Sequence, residues 1–241
     1  MDQQIDEIDG EASLPSSPQL GVPAARETLD REEHLVRDSV LRMGTRVEAA
    51  IRQASRALTT HDTTVALDVI RGDAIINEMQ RGVSRLIAVT IATQQPVARD
   101  LRYLLALDHV TYELERMGDH AASVAKAVLK LAPEPPLDGY VHLPEMAERA
   151  ALLVHGVLRA LVDSDAAQAR EIAVEDDDID RLYHATFDAV VESMRADPAN
   201  VERGTRIIIA SHYLERIGDR ATNIAEDVVY LVTGEVEDLN P

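Results

Sequence analysis

The chain has 241 residues, enough for one large domain or two small ones with a real core; 46% are apolar and only 3% aromatic. With 24 basic against 43 acidic residues, its formal net charge of -19 argues against nucleic acid or an anionic membrane surface as partner, and suits cations or basic protein surfaces and a merely well-solvated surface about equally. There is no Trp, one Phe and no Cys, so the core must come from Leu, Ile, Val, Ala and Met, and disulfides, thiolate metal sites and cysteine nucleophiles are excluded.

The opening Met1-Asp2-Gln3-Gln4-Ile5-Asp6-Glu7 has neither the basic start nor the apolar core of a signal peptide. No stretch approaches the roughly 18 apolar residues of a membrane span. A cytoplasmic protein without membrane insertion is expected. Residues 1–27 are acidic and then turn-rich (Leu14-Pro15-Ser16-Ser17-Pro18), with too little periodic apolar content to pack, so they read as a disordered extension. A helix is predicted from Asp30, a cap followed by Glu33, through Val36, Val40, Met43 and Val47 to about Thr59. Thr60-His61-Asp62-Thr63 caps a second helix carrying Val69, Ile76, Val83 and Leu86 to about Thr93. Pro96 is placed in the first turn of a third helix that runs to Leu131, where Pro133-Glu134-Pro135-Pro136 stops it.

Beyond a Pro-rich linker, residues 133–142, the arrangement returns. Pro144 opens a helix to about Val162, Asp163-Ser164-Asp165 turns the chain, a helix covers Ala166 to Arg195, and Asp197-Pro198 opens the last one. The copies align residue by residue. Asp62 matches Asp165, Asp73-Ala74-Ile75-Ile76-Asn77 matches Asp176-Asp177-Asp178-Ile179-Asp180, and Leu114-Glu115-Arg116-Met117-Gly118-Asp119 matches Leu214-Glu215-Arg216-Ile217-Gly218-Asp219. The predicted fold is therefore all-α: two sequence-repeated three-helix bundles, residues 28–132 and 143–235, with approximate internal two-fold symmetry.

Glu115 and Asp119 stand four residues apart and so share one helix face, as do Glu215 and Asp219. Like charges at that spacing cost a helix roughly 0.2–0.5 kcal/mol, and a cation between them would offset it. The second helices add Asp73 with Asn77, and Asp176 with Asp180, at the same spacing. Oxygen donors of this kind suit magnesium, manganese or iron, and zinc less well without His or Cys. The first set holds three carboxylates and an amide, the second four carboxylates, so tighter binding is expected in the second copy. There the stripe extends along His212, Glu215, Asp219, Asn223 and Glu226, where the first copy has Tyr112, Glu115, Asp119, Ser123 and Lys126. His212 is an additional candidate ligand by its spacing from Glu215. Gly118 and Gly218 each cost about 1 kcal/mol relative to Ala inside a helix, which points to a close approach of another helix.

The ordinary reading of such acids is a solvated face tied up in ion pairs with Arg116, His120, Arg216 or Arg220. A metal-free bundle whose acidic stripes dock a basic partner is the alternative function. A di-iron carboxylate enzyme would need Glu three residues before His, yet the eight His are preceded at that distance by Arg31, Leu58, Ala106, Met117, Gly139, Leu152, Arg181 and Ile209. No GxSxG or P-loop string occurs, and no enzymatic activity is expected.

The segments Asp73 to Asn77, Gln95-Pro96-Val97-Ala98-Arg99-Asp100-Leu101-Arg102, Leu114 to His120 and Leu214 to Glu226 closely resemble the signatures of the PhoU family. The resemblance spans roughly Leu29 to Glu235. It implies paired three-helix bundles in a negative regulator of the phosphate-starvation response, a homodimer acting with a phosphate ABC transporter and a phosphate-sensing histidine kinase. It also implies multinuclear iron or zinc on the acidic motifs, which here are Asp73, Asn77, Glu115, Asp119, Asp176, Asp180, Glu215, Asp219, Asn223 and Glu226. Two features depart from the family pattern: the N-terminal extension, and the first-copy motif ending in Ser123 and Lys126.

Overall fold

The computed structural model describes residues 22–135 and 142–240, and every regular element among them is helical. Of the expected disordered extension, residues 1–21 lie outside the described residues, as does most of the linker, whereas residues 22–27, also expected to be disordered, form the start of a helix. In chain order the helices are α1 (Val22–Thr60), α2 (Thr63–Gln94), α3 (Arg99–Leu131), α4 (Leu143–Asp163), α5 (Ala166–Val174), α6 (Asp176–Ala196) and α7 (Val201–Thr233). Helices α1–α3 form the first bundle and α4–α7 the second.

The repeat is visible in the caps. The Asp62 carboxylate accepts hydrogen bonds from Thr64 N at 2.9 Å and Val65 N at 3.1 Å, and Asp165 accepts from Ala167 N and Gln168 N, both at 3.0 Å. Each satisfies the orphan donors of a helix start and so fixes the hairpin of its bundle.

Four elements depart from the predicted boundaries. Helix α1 begins at Val22, so Asp30 is an interior residue; its carboxylate meets Arg26 Nε at 2.8 Å, one turn earlier, and Arg26 also reaches Asp100 across to α3. Pro96 is not in the first turn of α3, because Gln95 takes the left-handed conformation (φ 48°) that closes α2 and the chain loops through Ala98 before Arg99. The expected continuous helix from Ala166 to Arg195 breaks at Glu175. Consecutive acids are poor in a helix interior but favourable in a first turn, and the restart puts Asp176, Asp177 and Asp178 there. Pro198 opens a short 3-10 turn, Pro198–Asn200, before α7.

The core is aliphatic, with Met43, Ile51, Leu104, Leu114, Met117, Met146, Ile179 and Ile207 among the largest fully buried side chains. The bundles join through α1 against α4 and α3 against α7. Gly44 approaches Leu158 closely, Glu48 faces His155 at 3.4 Å, and Arg52 reaches Glu148 at 3.1 Å, so α1 and α4 run antiparallel. Helices α3 and α7 do likewise, with His109 beside Asp227, Glu113 beside Arg220, His120 beside Tyr213, and the Lys130 carbonyl beside Arg206. Residues early in one helix thus meet residues late in the other, which is what a two-fold relation between the repeats requires.

Candidate functional site

In the first bundle the four predicted residues come together across α2 and α3. Asn77 Nδ2 donates to Asp73 Oδ2 at 3.4 Å, while Asp73 Oδ1, Asn77 Oδ1 and Glu115 Oε2 are buried with no hydrogen-bond partner among the described residues. Arg116 Nη1 donates to Asp119 Oδ2 at 3.3 Å, and its Nε stands 3.6 Å from Glu115 Oε2, beyond hydrogen-bond reach. Burial, then repulsion from Asp119, raises the carboxyls of both Asp73 and Glu115 above their usual range; Lys126 pulls Asp73 back down. The ion pair expected of a solvated face therefore holds Asp119 but leaves the deeper oxygens unsatisfied.

The second site is more deeply buried and more charged. The break at Glu175 turns Asp176 inward, so that it is 2% exposed. Among the described residues its Oδ2 has two distant donors, Thr222 Oγ1 and Asn240 Nδ2, each at 3.5 Å, and its Oδ1 has none. Burial, followed by repulsion from Asp180, Asp219 and Glu215, pushes the Asp176 carboxyl up to about 7. Glu215 is also pushed up to about 7, by burial and then by Asp219 and Asp180. Burial first, and then Asp219, raises Asp180, whereas Asp219 is raised by burial against the pull of Arg216, Arg220 and His212. Like-charged groups are thus held together out of water, an arrangement that folding alone does not favour.

Gly218 makes this approach possible. A Cβ at that position would lie 2.0 Å from Asp176 Oδ1, whereas at Gly118 it would meet Ile76 Cδ1 at 3.0 Å and Asp73 Oδ1 at 3.5 Å. The predicted close helix approach is present in both copies, and in the second it is the carboxylate itself that fills the notch.

The extension of the stripe is distributed differently from expectation. His212 Nδ1 lies 3.2 Å from Glu215 Oε2, close enough for an ion pair but not aligned as a hydrogen bond. Asn223 does not point at the four acids: its Nδ2 donates to Glu113 Oε2 at 3.3 Å. Glu226 accepts a hydrogen bond from Leu239 N at 3.0 Å. Asp219, Asn223 and Glu226 do line one cavity of about 580 Å³, covered by Val236, Glu237, Asp238 and Asn240 from the end of the chain. An ion pair between Arg170 and Glu237 anchors that cover. Among the described residues, no group of three or more His, Asp or Glu side chains is gathered closely enough to enclose a metal ion. The donors are paired and unsatisfied, and a cation would have to draw them together.

Sequence reasoning missed Glu113. It is 2% exposed on α3 and receives Arg220 Nη1 at 3.1 Å and Asn223 from α7, with His109 Nε2 at 3.5 Å; His109 Nδ1 in turn lies 2.7 Å from Asp227 Oδ2. His120 stacks on Tyr213 at 5.6 Å between ring centroids, and burial, then Arg220 and Arg216, lowers it to about 4. The signal lay in the repeat itself. Its copies diverge at Glu113 against Tyr213 and at His120 against Arg220, and these positions are cross-paired at the interface.

Comparison with known proteins gives a consistent result. The PhoU domain matches twice, over residues 40–128 and 143–228. A phosphate-specific transport system accessory protein, the PhoU homolog of Clostridium acetobutylicum, is 35% identical over 216 residues, covering 89% of this chain and 99% of its own. The corresponding protein of Pseudomonas aeruginosa is 36% identical over 200 residues, with 83% of each chain covered. The crystal structure of PhoU from Pseudomonas aeruginosa superposes with a TM-score of 0.82 at 36% identity, covering 86% of this chain and 99% of that one. The phosphate transport system regulatory protein PhoU from Streptococcus pneumoniae superposes with a TM-score of 0.80 at 32% identity, covering 87% and 99%.

Proposed function

The chain belongs to the PhoU family, and from that membership we infer that it is a non-catalytic accessory regulator of phosphate transport. The supporting observation is the double PhoU-domain match on a chain that covers its phosphate-transport accessory relatives nearly end to end. In the finer reading it is a cytoplasmic negative regulator, acting as a homodimer, that links a phosphate ABC transporter to a phosphate-sensing histidine kinase. No described helix is long and apolar enough to cross a membrane, which is compatible with docking onto a transporter from one side. The test is deletion of the gene: phosphate-starvation genes should then be expressed at high phosphate, and unchanged repression would remove the reading.

A divalent cation or multinuclear metal on the acidic motifs is part of the same proposal. The donor set fits iron, zinc, manganese or magnesium in chemistry, because Asp73, Glu115, Asp176 and Glu215 each keep a buried oxygen with no hydrogen-bond donor. When bound, the metal supplies the positive charge that these carboxylates lack. Asp176, Asp180, Glu215 and Asp219 would hold it in the second bundle, with Asp73, Asn77, Glu115 and Asp119 as a weaker counterpart. The metal-free reading, acidic stripes docking a basic partner, draws support from the half-exposed Asp119 and from the paired rather than converged donors. Elemental analysis separates the two.

A further inference from the structure

The family-like segment Gln95 to Arg102 has no part in the carboxylate sites, and its charged residues open onto a different feature. A cleft of about 740 Å³ lies where α1, the start of α3, the turn after α4 and the end of α7 meet, and four arginines line it: Arg26, Arg37, Arg99 and Arg102. In a chain with 43 acids to 24 bases, most arginines have carboxylate partners, but among the described residues the acids lining this cleft are Glu33 and Asp100, while Asp30 and Asp38, outside the lining, pair with Arg26 and Arg37.

Those two acids do not balance the cleft. Asp100 is taken by Arg26, which holds both of its oxygens. Glu33 is half-buried, and burial, then Asp100, raises its carboxyl toward the neutral form. Arg37 reaches only its neighbour Asp38, at 3.8 Å, and its Nε is buried without a hydrogen-bond partner. Arg102 rests over the Tyr230 ring at 5.7 Å and approaches Gly234, where a Cβ would lie 3.0 Å from Nη1. Arg99 makes no hydrogen bond or ion pair among the described residues. Arg37, Arg99 and Arg102 therefore line one open cleft with guanidinium donors largely unused among the described residues. Planar guanidinium forks match the oxygens of a phosphate group and hold it by paired, charge-assisted hydrogen bonds.

We propose that this cleft is a binding site for a small phosphate-bearing anion, either inorganic phosphate or the terminal phosphate of a nucleotide, held by Arg37, Arg99 and Arg102. The site is separate from the acidic motifs, and its failure would leave the regulatory reading, which gene deletion tests, untouched.

Isothermal titration of the full chain with inorganic phosphate, ATP, adenosine and sulfate, at about 0.15 M salt where long-range attraction is screened, tests the proposal. Saturable binding of phosphate supports it with free phosphate as the source, and sulfate, which offers guanidinium groups the same tetrahedral oxygens, should compete. Binding of ATP without phosphate supports it with a nucleotide as the source. In either case Arg37→Gln and Arg99→Gln should each weaken binding by roughly tenfold or more, the effect of losing a charge-assisted hydrogen bond. Arg195→Gln, on the exposed end of α6, should leave it unchanged. Arg99 is exposed, so its variant remains informative if Arg37→Gln fails to fold. Binding of adenosine alone, indifference to both cleft substitutions, or no saturable binding would each overturn the proposal.

Discussion

Replacing Asp176 by Asn should make the metal-free protein more stable at pH 8 and leave it nearly unchanged at pH 4. Asp176 is 2% exposed, and burial among Asp180, Asp219 and Glu215 pushes its carboxyl up to about 7 from an ordinary 3.8. Because the folded value is raised, the native state holds a proton that the unfolded chain gives up. Its contribution is therefore fully present below about pH 4 and is lost as pH rises toward 7. A rise of that size corresponds to about 4 kcal/mol. Asn keeps the shape and removes the charge, so a gain of about 2–4 kcal/mol at pH 8 is expected, the lower end allowing for hydrogen bonds that the amide does not reproduce. For a chain of this length that is a Tm increase of roughly 5–10 °C, read by circular dichroism in chelator. Excess manganese should reverse the order, raising the Tm of the wild type more than that of the variant, which keeps only the weaker first-bundle set intact. Equal or lower stability of the variant at both pH values would refute the argument that the carboxylates repel one another in the folded chain.

Gly218→Ala should cost about 1–3 kcal/mol, since its Cβ would lie 2.0 Å from Asp176 Oδ1. Gly118→Ala meets Ile76 at 3.0 Å and Asp73 Oδ1 only at 3.5 Å, and should cost clearly less; thermal melts of the pair in chelator check the order. Glu113→Ala would leave Arg220, 19% exposed, without its carboxylate between the bundles, and should cost about 3–5 kcal/mol in denaturant titration. The double variant Glu113→Leu with Arg220→Leu should recover most of that loss, because it removes both charges together. Ending the chain after Glu235 removes the ion pair of Arg170 with Glu237, the Leu239 N hydrogen bond to Glu226 and the Asn240 contact with Asp176, and a lowered Tm in thermal melts should follow.

The helices and their duplication were legible in the sequence because apolar periodicity and cap chemistry act locally. The cap expected within Thr60 to Thr63 is Asp62, its aligned counterpart Asp165 caps likewise, and the four-residue spacing placed Glu115 with Asp119, and Glu215 with Asp219, on faces that the structure brings against Asp73 and Asp176. The features that escaped depend on tertiary partners. Arg26 helps to hold the early start of α1 by pairing with Asp100 on α3, 74 residues away. The break at Glu175 follows from a run of acids whose preferred position is a first turn, a competition that periodicity alone does not register. Asn223 was aligned with the stripe, yet its partner Glu113 lies on the other bundle. Glu226 is capped by Leu239, beyond the last predicted helix.

The metal content of protein purified without chelators tests the central claim most directly. Elemental analysis should find iron, zinc, manganese or magnesium on the wild type, most of it lost in Glu215→Ala with Asp219→Ala, and a smaller share lost in Glu115→Ala with Asp119→Ala. Equal content in the wild type and both double variants would contradict the account and leave the two stripes as docking faces.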